Sequence, residues 1–104
     1  MQKIEQGDIV RLHRGKVPFL VISSDFFNAS GLSVVCPLVP SASLDALHVP
    51  LKTSSGDYFA LCEELSTASL QQRGCTVTDH IKVSDLMEII YRVQSIFDYF
   101  PHAE

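Results

Sequence analysis

Along most of this chain apolar residues come in short runs between polar breaks; only near the C-terminal end do they recur at helical spacing. Phe19–Ile22 and Leu32–Leu38 are short, punctuated and rich in β-branched residues, the signature of buried strands. The break between them holds Asp25, suited to cap a single helical turn, and Gly31, suited to end it. Upstream, the turn Gln6-Gly7-Asp8 leads into a first strand over 9–14. Ile9 or Val10 with Leu12 would face a core there, and Arg11 and His13 would alternate to a solvated side. Arg14-Gly15-Lys16 reads as a compact turn, and Pro18 suits the first residue of the next strand.

Downstream, 40–43 is a loop. The stretch 44–51 has apolar residues at 47, 49 and 51 and predicts a strand ending near Lys52. A turn over 53–57 joins it to Tyr58–Cys62, a hairpin partner. Ser66 and Thr67 carry cap chemistry and predict about a turn of helix broken at Arg73-Gly74, followed by a short strand at Cys75–Thr78. The clearest element is last. Ser84 is a fitting N-cap, Asp85 complements the positive helix end, and Leu86, Ile89, Ile90, Val93, Phe97 and Phe100 recur at spacings of three and four. Glu88, Arg92, Gln94 and Asp98 occupy the opposite side. Tyr91, Ile96 and Tyr99 widen the apolar surface of a helix of about four turns ending near Pro101. About five to seven short strands with small helical inserts and one terminal helix predict a mainly β protein, a small half-open barrel.

Composition narrows the classes. A length of 104 residues suits a single domain spanning 1–104, and 46% apolar content argues against disorder. The net charge of −4 disfavours a broad cationic surface for sequence-blind nucleic-acid binding, while leaving room for a local basic patch. The three cysteines, Cys36, Cys62 and Cys75, have no Cys-x-x-Cys spacing, and the first two sit in apolar runs as reduced core residues do. There is no secretory leader pattern at the N-terminus and no run long enough to span a membrane, so a cytoplasmic protein that does not contact membranes is expected. His48 is expected on the exposed face of its strand, with His80 and His102 in loop and tail. No set of His, Cys or acidic residues has ligand spacing, so neither a metal nor a cofactor is expected.

Several pieces taken in order carry a resemblance: Gly7-Asp8-Ile9-Val10, Pro18–Ser23, Phe27-Asn28-Ala29-Ser30-Gly31-Leu32, Val34–Leu38, His48–Leu51, Leu61–Thr67, Gln72-Arg73-Gly74 and the terminal helix. Together the sequence resembles the MazF/PemK (Kid) family of type II toxin–antitoxin endoribonucleases. The resemblance implies an SH3-like barrel shared with CcdB toxins, a homodimer, a cognate antitoxin, and cleavage of single-stranded RNA in a groove of the dimer. The chain also departs from the family pattern. The loop after the first strand is cut to Arg14-Gly15-Lys16, and the Arg of Gly-x-Arg-Pro falls on Val17. The family's Thr or Ser after the third strand falls on Val39. An Arg that Kid carries ahead of its acid falls on Leu61, and the Asp-Gln pair falls on Glu63-Glu64.

Metal-free RNA cleavage needs a base for the 2′-hydroxyl, an acid for the leaving oxygen and a cation or donor for the phosphorane. Val17 and Val39 can supply none of these. The remaining candidates are His13 paired with Glu63, with Arg14 as a phosphate clamp, and Arg11, Lys16 and Arg73 as substrate-binding cations. The simpler readings make His13 and Arg14 solvated strand ends and give Gly74 the job of turning the chain. Two further functions follow from the same resemblance: a catalytically silent member that binds protein or nucleic acid, and a CcdB-like poison of a topoisomerase.

Overall fold

The computed structural model describes residues 3–97. Its elements are β1 (Asp8–Leu12), β2 (Pro18–Val21), α1 (Asp25–Asn28), β3 (Ser33–Val39), β4 (His48–Thr53), β5 (Gly56–Leu61), β6 (Ser66–Ala68), α2 (Leu70–Arg73), β7 (Cys75–His80) and α3 (Val83–Ser95). The strands form one seven-stranded sheet in the order β4-β5-β3-β2-β1-β7, with β6 pairing β3 off that path. Every pairing is antiparallel. The sheet curls into a half-open barrel with α3 laid against one face, the mainly β architecture read from the sequence.

Alternation along the strands sends side chains to two faces, and both faces are packed. On the first, Ile9, Leu20, Cys36, Leu38, Ala60 and Cys62 meet Ile89 and Val93 of α3. On the second, Val10, Val21 and Val35 pack with Ile4, Ala68 and Leu70 beneath β6 and α2. Each fully buried Leu or Ile, such as Leu20, Leu38 and Ile89, contributes roughly 2 kcal/mol relative to exposure. Strand β1 is therefore covered on both sides at Ile9 and Val10, not solvated along one face as its alternation suggested.

Other boundaries differ for identifiable reasons. Residues 66–68 pair with Val35, Val34 and Ser33 instead of starting a helix; pairing to an open edge of β3 outweighs weak local cap chemistry. Ser24, not Asp25, caps α1, its Oγ accepting the Phe27 N–H at 3.2 Å. Asp25 instead accepts the Gln6 N–H at 2.8 Å. Helix α3 starts one residue before Ser84, after an extended Lys82 that makes no side-chain cap. Leu44 is fully exposed and lies ahead of β4, which begins at His48. The expected apolar positions Phe100 and Tyr99, with Asp98 and the stop at Pro101, lie outside the described residues. Phe97, expected on the buried side of α3, is mostly exposed just past the helix end. Among the described residues no helix is long and apolar enough to cross a membrane.

Candidate functional site

The β4–β5 hairpin sets the first part of the site. Thr53 pairs with Gly56 across a two-residue turn, and the same register places His48 opposite Leu61. Two residues past Leu61, Glu63 returns to the face that carries His48. The His48 Nε2 and a Glu63 carboxylate oxygen stand 2.8 Å apart, and His48 Nδ1 stands 2.9 Å from the Ser43 carbonyl. A carbonyl can only accept, so Nδ1 carries a hydrogen; Nε2 then meets the carboxylate well only when it is protonated too. The hydrogen bond to Ser43 and the Glu63 carboxylate accordingly raise the His48 pKa from its ordinary value. The His48 side chain is 12% exposed while that of Glu63 is 40% exposed. The ring is enclosed and fully engaged, and the carboxylate faces solvent with its second oxygen open.

The loop before β4 is held from several sides. Arg92 on α3 donates to the Ala46 carbonyl at 2.6 Å, Cys62 N–H donates to the Leu47 carbonyl at 2.9 Å, and Asp45 Oδ1 accepts the Leu47 N–H at 2.8 Å. Cys36 and Cys62 lie behind the pair. Burial raises both thiols, Cys62 to about 11, so neither is a nucleophile at neutral pH.

A second set of groups gathers at the other end of the sheet. His13 donates its backbone N–H to the Gly74 carbonyl, which brings the β1–β2 turn beside Arg73. Gly74 has φ +78°, and a Cβ there would stand 2.7 Å from His13 Nδ1, so both conformation and space call for glycine. His13, Arg14, Lys16 and Arg73 are exposed. Arg11, partly buried, reaches to 3.5 Å from the Tyr58 hydroxyl, the outer limit of a hydrogen bond. Among the described residues none of these cations pairs with a carboxylate. An acidic chain thus still presents a local basic end.

Between the two sets the second face of the sheet is apolar and partly open. Ala60 and Cys62 point into the core beneath α3, so Phe59 and Leu61 point the other way. They are continued across the sheet by Val39, which pairs with Phe59, and by Phe19 paired with Pro37. Val17, Phe19, Pro37, Val39, Phe59 and Leu61 are all half-buried.

The family model for PemK-like, MazF-like toxins of type II toxin–antitoxin systems matches residues 5–97. The chain belongs to this family. Solved structures show the same fold: a chain of the MazE–MazF complex from Deinococcus radiodurans aligns with a TM-score of 0.83 at 21% identity, covering 93% of this chain and 98% of that one. An endoribonuclease from a mycobacterial species aligns at 0.80 and 14% identity, covering 93% of each chain. An endoribonuclease in complex with its cognate antitoxin, also mycobacterial, aligns at 0.79 and 14% identity, over 94% of this chain and 99% of that one. A comparison with curated proteins finds no match.

Within this toxin-family fold the candidates drawn from the sequence separate into two groups. Strand β5 runs antiparallel to β1 through β3 and β2, so the end of β1 lies beside the start of β5. His13 follows the end of β1 and Glu63 follows the end of β5, which puts them at opposite ends of the sheet. The expected His13–Glu63 pair does not form; Glu63 bonds His48 instead. The backbone bond of His13 to Gly74 sets Arg73 beside the turn that carries Arg14 and Lys16, with Arg11 on the strand leading into it. His48 is the residue that sequence reasoning passed over, as a solvated strand position. Its signal was available in the hairpin: a turn at Ser54-Ser55 fixes residue 48 opposite 61 and brings it beside 63.

Proposed function

We propose that this protein is the toxin of a type II toxin–antitoxin pair and a metal-independent endoribonuclease for single-stranded RNA, with Glu63 as its base. The observation that carries the reading is an exposed carboxylate hydrogen-bonded to an enclosed histidine, on the same face as open aromatic surface and continuous with a basic end. Phosphates would lie along Arg14, Lys16 and Arg73, and bases would stack on Phe19 and Phe59. The free oxygen of Glu63 takes the proton of a 2′-hydroxyl as that oxygen attacks phosphorus. The bond from phosphorus to the 5′-oxygen breaks, leaving a 2′,3′-cyclic phosphate and a 5′-hydroxyl. His48 in its protonated form offsets charge on the phosphorane. The leaving oxygen takes its proton from water, and Glu63 returns its proton to solvent. In this reading the protein acts as a homodimer and is silenced by a cognate antitoxin, as the complexes among its structural relatives suggest.

A second reading is favoured by one specific observation. Val17, Val39 and Leu61 stand at positions where the family resemblance places Arg, Thr and Arg, and they leave the face hydrocarbon. A protein so built would bind RNA or a partner without cutting. Incubation with a long single-stranded RNA in the presence of a chelator separates the two. Discrete cuts ending in cyclic phosphate support the nuclease. RNA that is retained by folded protein yet stays intact supports the binding module. Growth arrest on expression with RNA neither bound nor cut would point to a protein target instead.

A further inference from the structure

We infer that a concave pocket on the β4–β5 hairpin is a guanine-reading subsite. The inference rests on the single-stranded RNA reading above. The pocket holds about 400 Å3 and is lined by Pro40, Pro50, Lys52, Asp57, Tyr58 and Phe59, with Leu51 completing it. Its floor follows from register. Pro50 pairs with Phe59 and Lys52 with Asp57, so these side chains project from one face, two residues apart along each strand. Pro40, following the Val39 that pairs with Phe59, forms a wall.

The walls are flat and rigid: proline rings and an aromatic ring. Such surfaces suit the π-face of a base. The rim is polar in a specific way. Lys52 and Asp57 sit directly opposite each other without forming an ion pair, and neither side chain has a hydrogen-bond partner among the described residues. Both are exposed, so their hydrogen-bonding capacity is available to a ligand. A guanine edge presents one acceptor, O6, beside two donors, N1–H and the N2 amino group. An ammonium beside a carboxylate complements that set, the carboxylate taking both donors at once. Adenine offers only one donor group on this edge, beside an acceptor, and uracil one donor between two acceptors. The placement is also consistent with a bound strand. Asp57 lies at the start of β5 and Glu63 in the turn past its other end, so the subsite reads a base away from the proposed point of cleavage.

The test measures affinities of the full chain for short fluorescent oligouridines carrying one central guanine, inosine or adenine. The guanine strand is expected to bind about tenfold more tightly than the adenine strand, the range of one good bidentate contact. Inosine, lacking the N2 amino group, should fall between them. Asp57→Asn and Lys52→Met should each bring the guanine-to-adenine affinity ratio, measured on the same variant, to about one. Equal affinity for all strands, or a preference that survives both substitutions, would overturn the subsite while leaving RNA binding intact. No binding of any strand by folded protein would overturn the RNA reading and the subsite with it.

Discussion

Two histidine–carboxylate pairs occupy opposite edges of the sheet, both with 2.8 Å contacts, and they are built in opposite senses. In His48–Glu63 the ring is enclosed and the acid exposed. In His80–Asp8 the ring is 52% exposed and the acid only 7%. Asp8 uses its second oxygen to accept the Glu5 N–H at 2.8 Å, closing the turn before β1. Among the described residues His80 bonds through Nδ1 alone, and its ring edge stands where a Cβ on Gly7 would come within 3.3 Å. Identical contact distances therefore carry different consequences. A buried, fully bonded carboxylate holds the chain. A solvent-facing carboxylate with a free oxygen, backed by an enclosed histidine, is available to a substrate.

That contrast can be broken or sharpened by substitution. The largest effect is expected from Glu63→Gln, which removes the proposed base while retaining the shape of the side chain: cleavage of single-stranded RNA should fall by about 100-fold or more, with the melting temperature nearly unchanged. If Glu63→Gln cleaves normally and His80→Gln does not, the roles assigned to the two pairs are reversed. Next in size, Asp8→Ala should lower stability by about 1–3 kcal/mol in denaturant unfolding, because it removes the charged acceptor of both the Glu5 N–H and the His80 ring. Cleavage per folded molecule should persist. Gly74→Ala should cost about 1–2 kcal/mol by the same measurement, from its positive φ and the contact with His13.

The pH dependence has a definite sign. Because the folded-state pKa of His48 is raised, its contribution is fully present below the ordinary histidine value of about 6.5. It is lost as pH rises through the elevated folded value. Amide exchange at Leu47 and His48, corrected for the intrinsic rate, should therefore lose protection across that window. His48→Gln should abolish the pH dependence. The smallest effect belongs to His80→Gln, expected to stay within about 0.5 kcal/mol of the parent and to cut RNA at an unchanged rate.

Much of this architecture is legible in the residues because local pattern and tertiary demand agree. Leu86, Ile89, Ile90 and Val93 announce α3 by spacing, and they are the side chains that meet the sheet. The apolar runs of β2 and β3 and the polar break at α1 likewise carry their own boundaries. Strand β6 is hidden, because Ser66, Thr67 and Ala68 have no pattern of their own and become a strand only by pairing with β3. The site is less legible still. Glu63 stands out as an acid beside a buried run, but its partner is a lone histidine 15 residues earlier, whose side chain says nothing until the hairpin register is known. The cluster of Arg11, Arg14 and Lys16 is visible as a run, whereas Arg73 joins it only through the backbone contact between His13 and Gly74.

The most direct test of the account is photo-crosslinking with a single-stranded RNA containing 4-thiouridine, followed by peptide mapping on the intact protein. Crosslinks should concentrate between His48 and Glu63, with Phe59 prominent and further adducts in the β1–β2 turn. Crosslinks confined to α3 and absent from the hairpin would contradict it.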